Sequence, residues 1–105
     1  MRFSWDARKS TRNLRERGFD FEFATQIFES STLERVDSRR DYDERRVIAL
    51  GRAQDMALTV VYTDRAEASG EIDRRIISAS KSNRREREAH KKATSAKETG
   101  PPGPS

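Results

Sequence analysis

The chain has 105 residues, enough for one domain; only 32% are apolar and 38% are charged, so the core is thin and a partner is expected to supply part of the stability. It has no cysteine and a single histidine, His90, inside a charged run, which argues against a disulfide framework, a thiolate metal site or a zinc enzyme. The net charge of +4 arises entirely behind residue 80, because residues 1–80 carry 15 cations and 15 anions and residues 81–105 carry 7 and 3, a distribution that suits an anionic partner or a solvated helix face.

The N-terminus Met-Arg-Phe-Ser-Trp-Asp lacks the apolar stretch of a signal peptide, and no run approaches the length of a membrane span; a cytoplasmic protein is expected. Arg2–Trp5 alternates polar and apolar residues as a short strand does, with Phe3 and Trp5 on one side. Asp6 suits a helix N-cap, Ala7–Arg17 the helix, and Gly18 the left-handed residue that closes it. That helix is poor in apolar residues, with only Ala7 and Leu14. It should pack weakly and present polar groups, Lys9 and Asn13 sharing a face one turn apart.

Asp20 caps a second helix, Phe21–Ser30, whose Phe21, Ala24, Ile27 and Phe28 recur at helical spacing. Phe19 can fold back onto it as a staple, Phe23 lies off the stripe and is free to face a partner, and Glu22 sits in the first turn, where a carboxylate suits the helix dipole. Leu33–Asp37 reads as a weak strand, Ser38–Glu44 as a polar connection, Arg46–Gly51 as a strand and Ala53–Asp55 as a hairpin turn. Met56–Thr63, rich in β-branched residues, is the clearest strand; Ala66–Asp73 is a turn region and Arg75–Ser80 the last strand. Asn83–Lys97 has helical composition with a thin stripe of Ala89, Ala93 and Ala96, so this helix is expected to be mobile or lent to a partner. An α+β fold follows: a short N-terminal strand, two helices, an antiparallel four-stranded meander and a C-terminal helix. A single domain is expected over residues 1–97, with a disordered tail over 98–105.

Chemistry concentrates between Leu58 and Ser80. Arginine ends one strand (Arg65) and starts the next (Arg74, Arg75), and antiparallel pairing brings Arg65 and Arg75 to the same end of the sheet. Guanidiniums held on rigid strands match phosphate oxygens. The competing reading pairs Arg65 with Asp64 or Asp73 and Arg75 with Glu71, as exposed ion pairs of little consequence. Trp5 and Tyr62 either stack on bases or fill the core.

Several strings, in their order and spacing over roughly Arg2–His90, resemble the BrnT family, toxins of bacterial type II toxin–antitoxin pairs. They are Phe-Ser-Trp-Asp-Ala-Arg-Lys at 3–9, Asn-Leu at 13–14, and Gly-Phe-Asp-Phe-Glu at 18–22 with Ala24 and Phe28. Glu-Arg-Arg at 44–46 with Gly51, Val-Val-Tyr-Thr-Asp-Arg at 60–65, Arg-Ile-Ile-Ser-Ala at 75–79 and Glu-Arg at 86–87 complete the set. The resemblance implies a RelE-like ribonuclease fold, RNA cleavage that inhibits translation without a metal or other cofactor, and a BrnA-like ribbon-helix-helix antitoxin. That antitoxin would contact operator DNA and form a 2:2 heterotetramer with the toxin. It also implies catalytic positions at Lys9, Glu22 and Arg65, and at the end of the last strand, where the family carries an arginine and this chain carries Ser80. His90 stands where the family often has a tyrosine, and its intrinsic pKa suits proton transfer.

The serine leaves three readings: a weakened natural toxin, a deliberately silenced chain, or compensation by Lys81, which the pleat turns to the opposite face. Arg75, Lys81, Arg84 and Arg87 are the candidate RNA-binding cations. Lys9 serves as base only if neighbouring cations lower its pKa, and Glu22 only if its own is raised; otherwise Lys9 orients phosphate. These cations are expected to converge with Lys9 and Glu22 in a shallow hollow. The alternative is a non-catalytic module that binds protein or RNA and acts through its antitoxin in transcriptional autoregulation.

Overall fold

The computed structural model describes residues 1–39 and 43–99, with side-chain surroundings through Ser95. In chain order the elements are β1 (Arg2–Trp5), α1 (Ala7–Arg17), α2 (Phe21–Ala24) continuing into a 3-10 segment (Thr25–Glu29), β2 (Leu33–Val36), β3 (Val47–Ala53), β4 (Met56–Ala66), β5 (Ile72–Lys81) and α3 (Arg84–Thr99). The α+β class holds. The five strands form one sheet in the order β1-β5-β4-β3-β2. β2 to β5 are the expected antiparallel meander, but β1 lies parallel against β5, so the sheet is mixed.

Pairing register sorts the side chains onto two faces. The first face carries Phe3 and Trp5, Val47, Ala49 and Ala53, Leu58, Val60 and Tyr62, and Ile76 and Ala79. These pack with Phe19, Phe21, Ala24 and Ile27 as the core. The expected second helix becomes a single α-turn followed by 3-10 geometry. Its apolar residues still face inward: Phe28 stacks on Phe3 at 5.6 Å and meets Tyr62 edge-on at 5.4 Å. Phe23 is half-buried and packs one side against Phe19, ring centroids 6.1 Å apart, so the staple takes it in. Tyr62 fills the core and donates its hydroxyl to Glu34 at 2.6 Å. Burial, then that hydrogen bond, push the phenol's pKa up.

α1 begins and ends as expected. Asp6 Oδ1 accepts from the Arg8 and Lys9 N–H groups, and Gly18 sits at φ 87°. Its packing is unusual, because Leu14 is 52% exposed while Ser10 and Asn13 are the buried residues. Asn13 Nδ2 donates to the Phe19 carbonyl at 2.9 Å, and Ser10 Oγ accepts from the Phe21 N–H at 3.0 Å. Hydrogen bonds, rather than an apolar stripe, hold this helix.

On the second face α3 lies over β2 and β3, where Ala89 shares a shallow groove with Leu33, Ile48 and Leu50. Asn83 and Glu86 cap it reciprocally, each side chain accepting the other's backbone N–H at 2.8 Å. His90 Nε2 lies 3.0 Å from the Ser31 carbonyl. The helix runs to Thr99, two residues past its expected end. The rest of the expected tail, residues 100–105, lies outside the described residues, as do residues 40–42 of the polar connection. Among the described residues no helix is long and apolar enough to cross a membrane.

At Gly51 the 3-10 segment presses closely on the sheet. A Cβ there would stand 2.8 Å from Ile27 Cβ and 3.1 Å from Thr32 Cγ2. Gly51→Ala is therefore expected to destabilise the fold by about 1–3 kcal/mol through overpacking, measured as a lower urea midpoint with an unchanged slope.

Candidate active site and basic grooves

β1 is shorter than β5, and that mismatch builds the first groove. β1 pairs only with Asp73–Ile76, which leaves the outer edge of β5 beyond Ile76 without a strand. α1 occupies that edge. Arg17 donates to the Ala79 carbonyl at 2.7 Å and to Asn13 Oδ1 at 3.4 Å. One face of the helix (Lys9, Arg12, Asn13, Glu16 and Arg17) then faces Ile77 and Ser78 across a cleft of about 200 Å³. Ile77 is the residue skipped in the β4–β5 register between Val61 and Tyr62, so the bulge opens toward this cleft.

Lys9 is exposed on the first turn of α1. Asp6 lies in the field of both Lys9 and Arg75: hydrogen bonds from the Lys9 and Arg8 N–H groups hold its carboxyl below the usual range, and the charges of Arg75 and Lys9 add to this. Arg75 lies opposite Thr63, and Arg65 lies opposite Asp73. The two arginines thus share a face at the same end of the sheet, as expected, in a diagonal relation of about 7–8 Å. Arg65 is not paired with Asp64 or Asp73. It meets Glu44 at 3.0 Å, 56% exposed, with Arg46 reaching the same carboxylate at 3.5 Å. Arg74 turns to the first face, where Asp64 holds it at 2.8 Å over the rings of Tyr62 and Phe28.

The remaining positions are placed elsewhere. Glu22 is exposed beside Phe21, whose N–H is tied to Ser10, but it does not line the cleft. Ser80 lies opposite Thr59 on the same face as Arg65 and Arg75; six residues along β4 separate Thr59 from Arg65, a span of about 20 Å. Ser80 is instead two residues from Ser78, about 7 Å along the strand and on the same face. Lys81, opposite Leu58, projects to the other face and is exposed, which removes it as a stand-in for an arginine at 80. The cations therefore fall into neighbouring groups and do not share one hollow.

Arg84 and Arg87 line a second, larger groove of about 610 Å³ between α3 and the β3–β4 turn, with Arg52, His90, Lys91 and Glu88. Sequence reasoning missed Arg52 and Lys91; only the register that sets Arg52 beside Ala57, near Ser82, reveals the first. Arg84 pairs with Glu88 at 3.2 Å. Arg87 donates to the Ser82 carbonyl at 2.8 Å and Arg52 to the Asp55 carbonyl at 3.0 Å.

The Arg65–Glu44 contact has a pH signature. Arg65's hydrogen bond and charge hold the Glu44 carboxyl below its ordinary 4.5, with a smaller contribution from Arg46. A lowered carboxylate pKa stabilises the fold above the unfolded value, and that stability is lost as pH falls through the folded value. Arg65→Gln should move Glu44's NMR titration midpoint up toward 4.5 and lessen the loss of stability on acidification.

Among curated proteins no relative matches the chain. A family match covers residues 5–86, from the last residue of β1 through the first turn of α3, and so takes in the α1–β5 cleft and both strands that carry Arg65 and Arg75. That family is described as the ribonuclease toxin BrnT of type II toxin–antitoxin systems, and the chain belongs to it.

Proposed function

We propose that the chain cleaves RNA without a metal ion, by attack of a 2′-hydroxyl on the adjacent phosphorus, and that its cleft between α1 and β5 seats the scissile linkage. The observation that carries this reading is the row Lys9, Arg12 and Arg17 along one side of a cleft whose other wall is the bulged stretch of β5. In the reaction the 2′-oxygen forms a bond to phosphorus, the bond to the 5′-oxygen breaks, and the products end in a cyclic phosphate and a 5′-hydroxyl. The 2′-proton passes to a base, and the 5′-oxygen receives one. Lys9, Arg12 and Arg17 neutralise the phosphorane, with Arg75 adding positive potential and Arg65 lying further along the face. Glu22, exposed next to the cleft residue Phe21, is assigned to proton transfer by its likeness to the family position. The arrangement is read as RelE-like, and cleavage of messenger RNA in the cytoplasm would inhibit translation.

Ser80 stands beside the cleft where the family carries an arginine, so this chain is read as an attenuated toxin: a hydroxyl replaces a charge-stabilising guanidinium. The expected partner is a BrnA-like ribbon-helix-helix antitoxin in a 2:2 assembly, with operator DNA reached only through it. Ser80 also favours a second reading, a binding module that acts through the antitoxin in autoregulation, which predicts RNA binding without products.

Cleavage is expected to survive EDTA and to leave cyclic phosphate ends. Ser80→Arg should raise the rate about a hundredfold, and Lys9→Gln should lower it comparably. A Ser80→Arg protein that cuts no RNA would leave only the binding reading. Saturating antitoxin, at about 100 times its dissociation constant, should add about 2.7 kcal/mol of stability and a matching rise in Tm, read by thermal denaturation.

A further inference from the structure

Two basic grooves lie on either side of one polar row. Ser78 lines the α1–β5 cleft, Ser80 follows on the same face, and Ser82 lines the larger groove, its hydroxyl bonded to Thr59 at 2.8 Å on that face. Four residues of near-extended chain, about 13 Å, connect Ser78 to Ser82. We propose that this is a single track for a strand of RNA: the cleft holds the cut linkage, and the groove between α3 and the β3–β4 turn holds flanking phosphates. The proposal rests on the ribonuclease reading and extends it to a second, non-cleaving subsite.

The charge arrangement supports it. Several arginines away from the track are neutralised by carboxylates: Arg2 by Glu67, Arg39 by Asp37, Arg65 by Glu44 and Arg74 by Asp64. Along it, Arg17, Arg52 and Arg87 are anchored on backbone carbonyls of Ala79, Asp55 and Ser82, and no described carboxylate pairs with them. A carbonyl fixes a guanidinium's direction without cancelling its charge, so these groups remain available to phosphate at little cost in side-chain entropy. Lys91 adds a further charge to the larger groove; Glu88 is the anion among its lining residues and is already taken by Arg84. At about 610 Å³ the groove is roomy enough for a nucleotide unit. An acidic protein segment would demand the same charges, but the serine row leading from the cleft favours a continuous nucleic acid.

The test is equilibrium binding of the full chain to a 2′-O-methyl RNA 12-mer, which has no free 2′-hydroxyl and so reports binding apart from cleavage. Arg52→Gln/Arg87→Gln and, separately, Lys91→Glu, which breaks no described hydrogen bond or ion pair, should weaken binding about tenfold or more. The double variant should also make the dependence of log affinity on log salt shallower by about 1.4, the loss of two phosphate contacts on a single strand. Arg15→Gln, a cation outside both grooves, should bind as the parent does. Unchanged affinity and salt slope in both groove variants would overturn the proposal, as would unchanged RNA affinity with lost antitoxin capture, which would assign the groove to an acidic protein segment. A Ser80→Arg protein that cuts no ordinary RNA, together with groove variants that lose the 12-mer, would defeat the nuclease reading and leave this track standing.

Discussion

The site follows from an unequal strand pairing. β5 has ten residues and its outer neighbour β1 has four, so more than half of one strand edge must find other partners for its backbone. Buried carbonyls left without a donor cost roughly 1–3 kcal/mol each. α1 supplies the donor in the form of Arg17, and in doing so it is drawn alongside β5 instead of onto the core. The helix arrives with its polar face inward, and the space between that face and the strand is the cleft. A longer β1 would satisfy the edge and abolish the site.

Burial and chemistry are divided between the two faces of the sheet. The first face is a conventional apolar layer, closed by aromatic packing around Phe28 and Tyr62, with Arg74 laid over both rings. The second face is covered by α3 over β2 and β3, and along β4 and β5 it carries Thr59, Thr63, Arg65, Arg75, Ser78 and Ser80. Alternation within two strands therefore separates neighbours as close as Arg74 and Arg75 into a cation laid over the core rings and one on the opposite face.

Much of the fold could be read from residue pattern. Asp6, Gly18 and Asp20 act through local geometry, so their caps and stops are visible in sequence; β4 announces itself by its run of branched residues. The parallel placement of β1 was not legible, because Phe3 and Trp5 show which side is buried but not which strand they join. Nor was the inward packing of Asn13, since hydrogen bonding to the Phe19 carbonyl is a tertiary contact that hydrophobic spacing does not encode. At the site, the pairing of Arg65 and Arg75 at one end followed from the hairpin. The choice of Glu44 as Arg65's partner, and the distance between Arg65 and Ser80, required the actual register. Arg52 had no signal in sequence beyond its charge, for its role depends on where α3 folds back.

Because α1 is attached by hydrogen bonds at Ser10, Asn13 and Arg17, with Leu14 left outside, the rest of its cleft-facing surface is nearly free of packing duty. Exchanges at Lys9, Arg12 or Glu16 neither open a void nor crowd a neighbour in the interior. The charge pattern on this helix can therefore change while the domain beneath it keeps its shape.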